Sequence, residues 1–384
     1  MAKPNDLRAL IDLINSTRTL LAHFDASLKP SSTAAQTSDP QVSSTDLPNP
    51  LEIVKTCTTL LKSHTTTLSL LLLTPPLTPS ALVTKIGEVS SGALSGLVTA
   101  AISTPQAGQK DELGVLMRAE VKVQARRLIG TWQDVLAIIL RLAERRQSDI
   151  KKGKTKDAGP TESERQDVLA ATGVVWEACD ALLKLCTEGI VGLVVKKAQE
   201  LRSVLLDAIE ELKEWGEDVD EEGVGDGDEA EGSGDEFADE DDIFGAANKL
   251  GKGDKELKLL LDTSTKKLKM VGMLYQALIK RRLKTFPTAA APAASTTDAD
   301  ASEPSSTPIA KLDELMVLLK AIPETVDDLA SAFYDLDEDE AKETLEKCSG
   351  EAKSAVELVK QSWTGTDDEF TAWSAKWIDA FDAA

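Results

Sequence analysis

Apolar residues recur at helical spacing through almost the whole chain, and that periodicity restricts the fold more than any single motif. From about Asp6 to Leu28, the residues Leu7, Leu10, Ile14, Leu21, Phe24 and Leu28 fall close to one face of a helix. A second helix starts at Pro50, where a first turn tolerates proline, and carries Ile53, Cys57, Leu60, Leu61 and Leu68. A third spans Ser80 to Ser103, and a fourth runs from about Lys110 to Ile150 with Leu128, Trp132, Leu136 and Ile139 in its stripe. A fifth begins near Thr161, whose spacing to Glu164 is that of a capping box. Aromatic residues make up only 4% of the chain, which favours helices over a β-sandwich.

Beyond Gly189 the same period predicts helices at Ile190–Trp215, Ile243–Leu283, Ile309–Leu336 (interrupted at Pro323), Glu338–Trp363 and Asp367–Phe381. The last places Phe370, Trp373, Trp377 and Phe381 on one side. The reading is an all-α chain of two antiparallel helical bundles with about five helices each. The first occupies residues 1–188, with a linker at 30–48 and a basic loop at 151–160. The second occupies 189–384, with an acidic insert at 217–242 and an Ala/Pro/Ser linker at 287–308.

The insert from Glu217 to Asp242 holds fifteen Asp or Glu residues and no Lys or Arg. Removing those carboxylates from the net charge of −22 leaves −7 for the remainder. Such a segment has too little apolar surface to offset the entropy of ordering, so a disordered, solvated tether is expected. Asp218, Asp220, Glu222, Gly223, Asp226 and Glu229 fit the spacing of a calcium loop, but so dense an acidic run meets that pattern by chance. Asp335, Asp337, Asp339 and Glu346 fit it less well, because Glu340 replaces the turn glycine. An acidic helix start explains them.

No catalytic constellation assembles. His23 and His64 stand singly among Leu and Thr, so packing or surface roles are expected. Cys57, Cys179, Cys186 and Cys348 form no CxxC and read as reduced, buried thiols. Cys179 and Cys186 share a helical face as two zinc ligands would, yet no second pair stands nearby. GKGDK at Gly251–Lys255 lacks the spacing of a phosphate-cradling loop. No catalytic, cofactor or metal residue is therefore expected, nor a small-molecule substrate.

Charge and hydropathy narrow the partners. Net acidity argues against direct nucleic-acid binding. The longest apolar run, Leu68–Leu73, is too short for a bilayer, and the chain's opening residues are interrupted by Asp6, Arg8 and Asp12, unlike a secretion signal. Gly92-xxx-Gly96 reads as close packing between helices rather than a membrane dimer face. Arg145, Arg146, Lys151, Lys152, Lys154 and Lys156 flank a helix end, which makes them a candidate nuclear-import patch. Lys280, Arg281, Arg282 and Lys284 crowd another helix end, where cations complement the macrodipole. The heptad spacing of Leu250, Leu257, Ser264, Val271 and Leu278 suits a multi-helix core better than a zipper, because Leu260, Leu261, Leu268 and Leu274 widen the stripe.

Four segments carry a resemblance: LLLTPPLTPS (Leu71–Ser80), MRAEVKVQARRLIGTWQDVL (Met117–Leu136), TGVVWEACDAL (Thr172–Leu182) and LDELMVLLKAIPETVDDLASAFY (Leu312–Tyr334). Together they resemble the cyclin-D-binding, or GCIP-like, protein family. The resemblance implies two talin- or vinculin-like bundles. It further implies a regulator of the nucleus and cytoplasm that binds proteins, including cyclin D and helix-loop-helix transcription factors, and restrains cell-cycle progression. The expected function is a non-enzymatic adaptor that takes amphipathic partner helices between its own helices. A cytoskeletal linker of vinculin or talin type and an acidic buffer of basic proteins are the alternatives.

Overall fold

The computed structural model describes residues 4–29, 49–104, 113–153, 159–217, 250, 254–287 and 307–384. Among them every regular element is helical and no strand occurs, so the protein is all-α. The expected linker Pro30–Pro48, the acidic run after Glu217, most of the 287–308 linker, Lys154 and Lys156 lie outside the described residues. So do the first calcium-like spacing and most of the predicted helix start at Ile243. The chain divides into two compact units, Met1–Ile190 and Val191–Ala384.

Unit 1 holds five described helices. Helix α1 is Pro4–Leu28 and α2 is Pro50–Leu73. Helix α3 is one rod in three pieces: Pro79–Glu88, a π turn Val89–Leu94, and Ser95–Ile102. Helix α4 is Gly114–Lys151, and α5 covers 162–188, the first part of a run Glu162–Glu217 that breaks at Gly189. Asn49 caps α2 by accepting from the Leu51 amide at 2.9 Å, with Pro50 in the first turn. The Thr-rich middle of α2 has weak propensity and is held by packing, with its buried hydroxyls satisfied within the helix. Thr58 and Thr65 are buried, and their hydroxyls donate to the Val54 and Leu61 carbonyls at 2.7 and 2.8 Å.

α1 packs on α3 and α4, and α2 on α3. Leu7, Leu10, Ile14, Leu21 and Leu28 are all buried, as are Trp132, Leu136 and Ile139 of α4. α5 is tied to α2 by Lys62–Asp180 at 2.5 Å, and to α4 by Arg127–Glu177 at 2.8 Å and Arg141–Asp167 at 3.0 Å. These pairs are largely exposed, each worth at most about 1 kcal/mol, so the apolar seam of Val168, Val175, Cys179 and Leu182 holds the helix in place. Of the Gly92-xxx-Gly96 pair, only Gly96 marks a close approach. A Cβ there would sit 2.7 Å from Cys57 Sγ, whereas one at Gly92 meets open space.

Unit 2 holds α6 (190–217), α7 (Lys255–Leu278, continued by a π turn Ile279–Leu283), α8 (Pro308–Tyr334), α9 (Glu338–Leu358) and α10 (Glu369–Asp382). α8 packs along α9, and α7 contacts α8, α9 and α10. α6 lies against α7 closely enough that a Cβ on Gly216 would fall 2.3 Å from Leu261 Cδ2. Arg202 Nε also donates to the Gly272 carbonyl at 3.1 Å. The heptad-spaced Leu250, Leu257, Ser264, Val271 and Leu278 are all buried, together with Leu261, Leu268 and Leu274, as a core helix requires.

One sequence expectation is corrected here. α8 is not interrupted at Pro323; it runs unbroken from Pro308 to Tyr334 with the proline buried inside. Proline has no N–H to give the carbonyl four residues back, which is that of Leu319. The buried Tyr275 hydroxyl takes over, donating to the Leu319 carbonyl at 2.5 Å. α9 then starts at Asp337, whose carboxylate accepts from the Glu340 amide at 3.0 Å. That cap is the work done by the second calcium-like spacing.

Candidate protein-interaction surfaces

The reactive side chains of this protein do not converge. His23 is exposed, and His64 Nδ1 lies 3.6 Å from the Glu88 carboxylate that Lys85 also holds. Both contacts lower the Glu88 carboxyl below its ordinary range, Lys85 first. All four cysteines are free thiols. Burial pushes Cys179 and Cys348 up to about 12 and the half-buried Cys186 up to about 11. Thiols so far from ionising are poor nucleophiles at neutral pH. Among the described residues, no three His, Cys, Asp or Glu side chains group as a metal site would, and no helix is long and apolar enough to cross a membrane.

The candidate import patch separates into two kinds of residue. Arg145 is occupied: it pairs with Glu164 and donates to the Gly159 carbonyl at 2.9 Å. Glu164 completes the predicted capping box with Thr161, accepting its amide at 2.7 Å and donating its own to Thr161 Oγ1 at 3.3 Å. Arg146 is buried. Gly159 holds φ +74, and a Cβ there would approach Pro75 to 3.2 Å, so the loop sits against the α2–α3 corner. Lys151 and Lys152 are the exposed members of the patch among the described residues.

The second basic cluster hides a clamp that its sequence does not announce. Arg282 is 1% exposed. Its five N–H groups all find acceptors. Nε donates to the Val359 carbonyl at 2.6 Å, Nη1 to Asp368 Oδ2 at 2.7 Å and the Arg281 carbonyl at 2.9 Å, and Nη2 to Asp368 Oδ1 and the Lys360 carbonyl, each at 2.9 Å. The guanidinium also lies 4.3 Å from the Phe370 ring centroid. It holds the Asp368 carboxyl down at about 2, helped by the Thr371 and Phe370 amides that Asp368 caps. The clamp thereby fixes the end of α7, the loop after α9 and the start of α10. An open, polar cavity of about 480 Å³ beside it is lined by that loop, with Lys311, Lys360 and Trp363 among its walls.

Two surfaces are suited to receiving another protein. On α5, Leu169 is 55% and Trp176 38% exposed, two turns apart on one face with Gly173 between them. In unit 2, α6 and α7 enclose a groove of about 650 Å³ with Leu261, Thr265, Met270 and Met273 in its floor and walls. Lys213, Lys258, Lys266 and Lys269 also line it, against Glu217 and Asp262. Sequence periodicity counts Leu169 and Trp176 into one apolar stripe with Val168, Val175, Cys179 and Leu182. The structure buries those four and leaves Leu169 and Trp176 open, because the sequence stripe is wider than the face that the neighbouring helices cover. The groove escapes the periodicity altogether, because it depends on how two helices meet.

Residues 53–218 match the family model described as Grap2 and cyclin-D-interacting, N-terminal. The chain carries a GCIP-type N-terminal domain. The match runs from early α2 to the end of α6, so it includes α5 with its Leu169–Trp176 face. An uncharacterized protein of the fission yeast Schizosaccharomyces pombe (strain 972) is 24% identical over 331 residues, which cover 86% of this chain and 84% of that protein. The matched family model is one named for protein interaction.

Proposed function

We propose that this GCIP-type protein is a non-enzymatic adaptor that binds amphipathic helices of cyclin or helix-loop-helix proteins and so restrains cell-cycle progression. The observation that carries the reading is the α5 face, where Leu169 and Trp176 lie open to solvent inside the segment that matches a family named for cyclin D interaction. An exposed tryptophan flanked by an exposed leucine two turns away is the kind of anchor pair a partner helix covers. Residence in both nucleus and cytoplasm follows from the same reading, with Lys151 and Lys152 the part of the import patch open to a receptor.

The test is direct binding of the purified chain to a helix-loop-helix domain and, separately, to a D-type cyclin. Leu169→Glu with Trp176→Glu is expected to weaken whichever partner binds by at least about tenfold, with helicity unchanged. Equal affinity for the variant and the original chain, for both partners, defeats the proposal.

A further inference from the structure

We infer that the α6–α7 groove of unit 2 is a docking site for an acidic amphipathic helix supplied by another protein. The ligand's carboxylates would meet Lys258, Lys266 and Lys269, while its apolar face would seat on Leu261, Met270 and Met273. The inference deepens the adaptor reading, on which it rests, by naming a second partner chemistry at a surface in the other unit.

Three observations point to that ligand. The first is charge. Lys258, Lys266 and Lys269 are exposed along one side of the groove and form no ion pair among the described residues, so the lysines of its lining outnumber its two acids, Glu217 and Asp262. Lys213 differs, since it is held by Glu217 at 3.4 Å. Unpaired lysines beside an apolar floor offer attraction and register to carboxylates, and they disfavour a basic partner.

The second is shape. The lining runs along α7 from Lys258 to Met273, which at 1.5 Å per residue is about 22 Å, or four turns of a ligand helix. The walls are two helices pinned at both ends: Gly216 lets α6 approach Leu261, and Arg202 is bonded to the Gly272 carbonyl. The groove is therefore formed before any ligand arrives.

The third is the floor. Met273 is 52% exposed on the groove side of α7, and Met270 is half-buried beside it. Unbranched thioethers adjust to an incoming apolar surface at little cost, and such residues recur where a protein accepts helices.

The experiment uses the full chain and a labelled four-turn peptide with Glu and Leu at helical spacing, alongside a control peptide with Lys in place of each Glu. The acidic peptide is expected to bind, to weaken as salt rises, and to lose at least about tenfold in affinity against Lys258→Glu/Lys266→Glu/Lys269→Glu. Met273→Asp, at an exposed position, is expected to weaken it comparably without loss of helicity. Three results overturn the proposal: no binding of the acidic peptide, equal affinity for the triple variant, or binding seen only once residues 218–249 are deleted. That last result would make the chain's own acidic run the occupant. Helix-loop-helix or cyclin binding measured on the same triple variant separates the two readings. If that binding persists while the peptide binds the triple variant as well as the original chain, or binds neither, the groove assignment alone is lost.

Discussion

Tyr275 and Pro323 are a compensating pair, and only their geometry reveals it. A proline inside a helix leaves one carbonyl without its backbone donor, and in α8 that carbonyl, Leu319, receives the Tyr275 hydroxyl instead. Burial raises the Tyr275 hydroxyl's pKa, which keeps it a donor at any physiological pH. Tyr275→Phe should strand the buried carbonyl and cost about 1–3 kcal/mol in urea unfolding. In a Pro323→Ala background the backbone supplies the missing N–H, so the same substitution should cost about 1 kcal/mol less. Equal costs in both backgrounds would show that the hydroxyl does not stand in for the lost donor. The interruption expected at Pro323 is the natural reading of a sequence. The residue that rescues the helix lies 44 positions from the carbonyl it serves, and no local pattern links them.

At the scale of elements, what the sequence disclosed and what it concealed divide along the range of the interaction. Amphipathic stripes and caps depend on residues within a turn or two, so α1, α2 and the Thr161–Glu164 box were readable. The Arg282 clamp depends on Asp368, 86 positions away, and in sequence Arg282 looks like one more cation at a helix end. The α6–α7 groove was hidden for the same reason. The clamp has a pH signature. Asp368 titrates near 2 in the folded protein, below the roughly 3.9 of an unfolded Asp, so its contribution is complete above the unfolded value and fades as pH falls toward 2. The thermal midpoint of the original chain should therefore drop more steeply between about pH 4 and pH 2 than that of Asp368→Asn. Parallel pH profiles would mean that the carboxylate's charge contributes nothing there.

Across the molecule, each unit owns a core: Leu7, Leu10, Trp132 and Ile139 in the first, and Leu268, Tyr275, Phe333 and Phe370 in the second. At their boundary Gly189 takes φ 61 and ψ −162, a backbone state that essentially only glycine occupies. Residues 1–190 and 191–384, made separately, should each give a helical spectrum and a cooperative melt of their own; a fragment without one would show that its core is incomplete. The division between helices was legible at Gly189 because the apolar stripe restarts there, whereas the contacts that close each unit were not. Synthesis on the ribosome adds a further consequence for the second unit. At about 5–20 residues per second, Asp368 is made roughly 4–17 s after Arg282, so for that interval the nascent guanidinium lacks its carboxylate partner. Closure of α7 onto α10 must wait for the later residue, which leaves the aromatic face of the last helix to be gathered in at the end of translation of this unit.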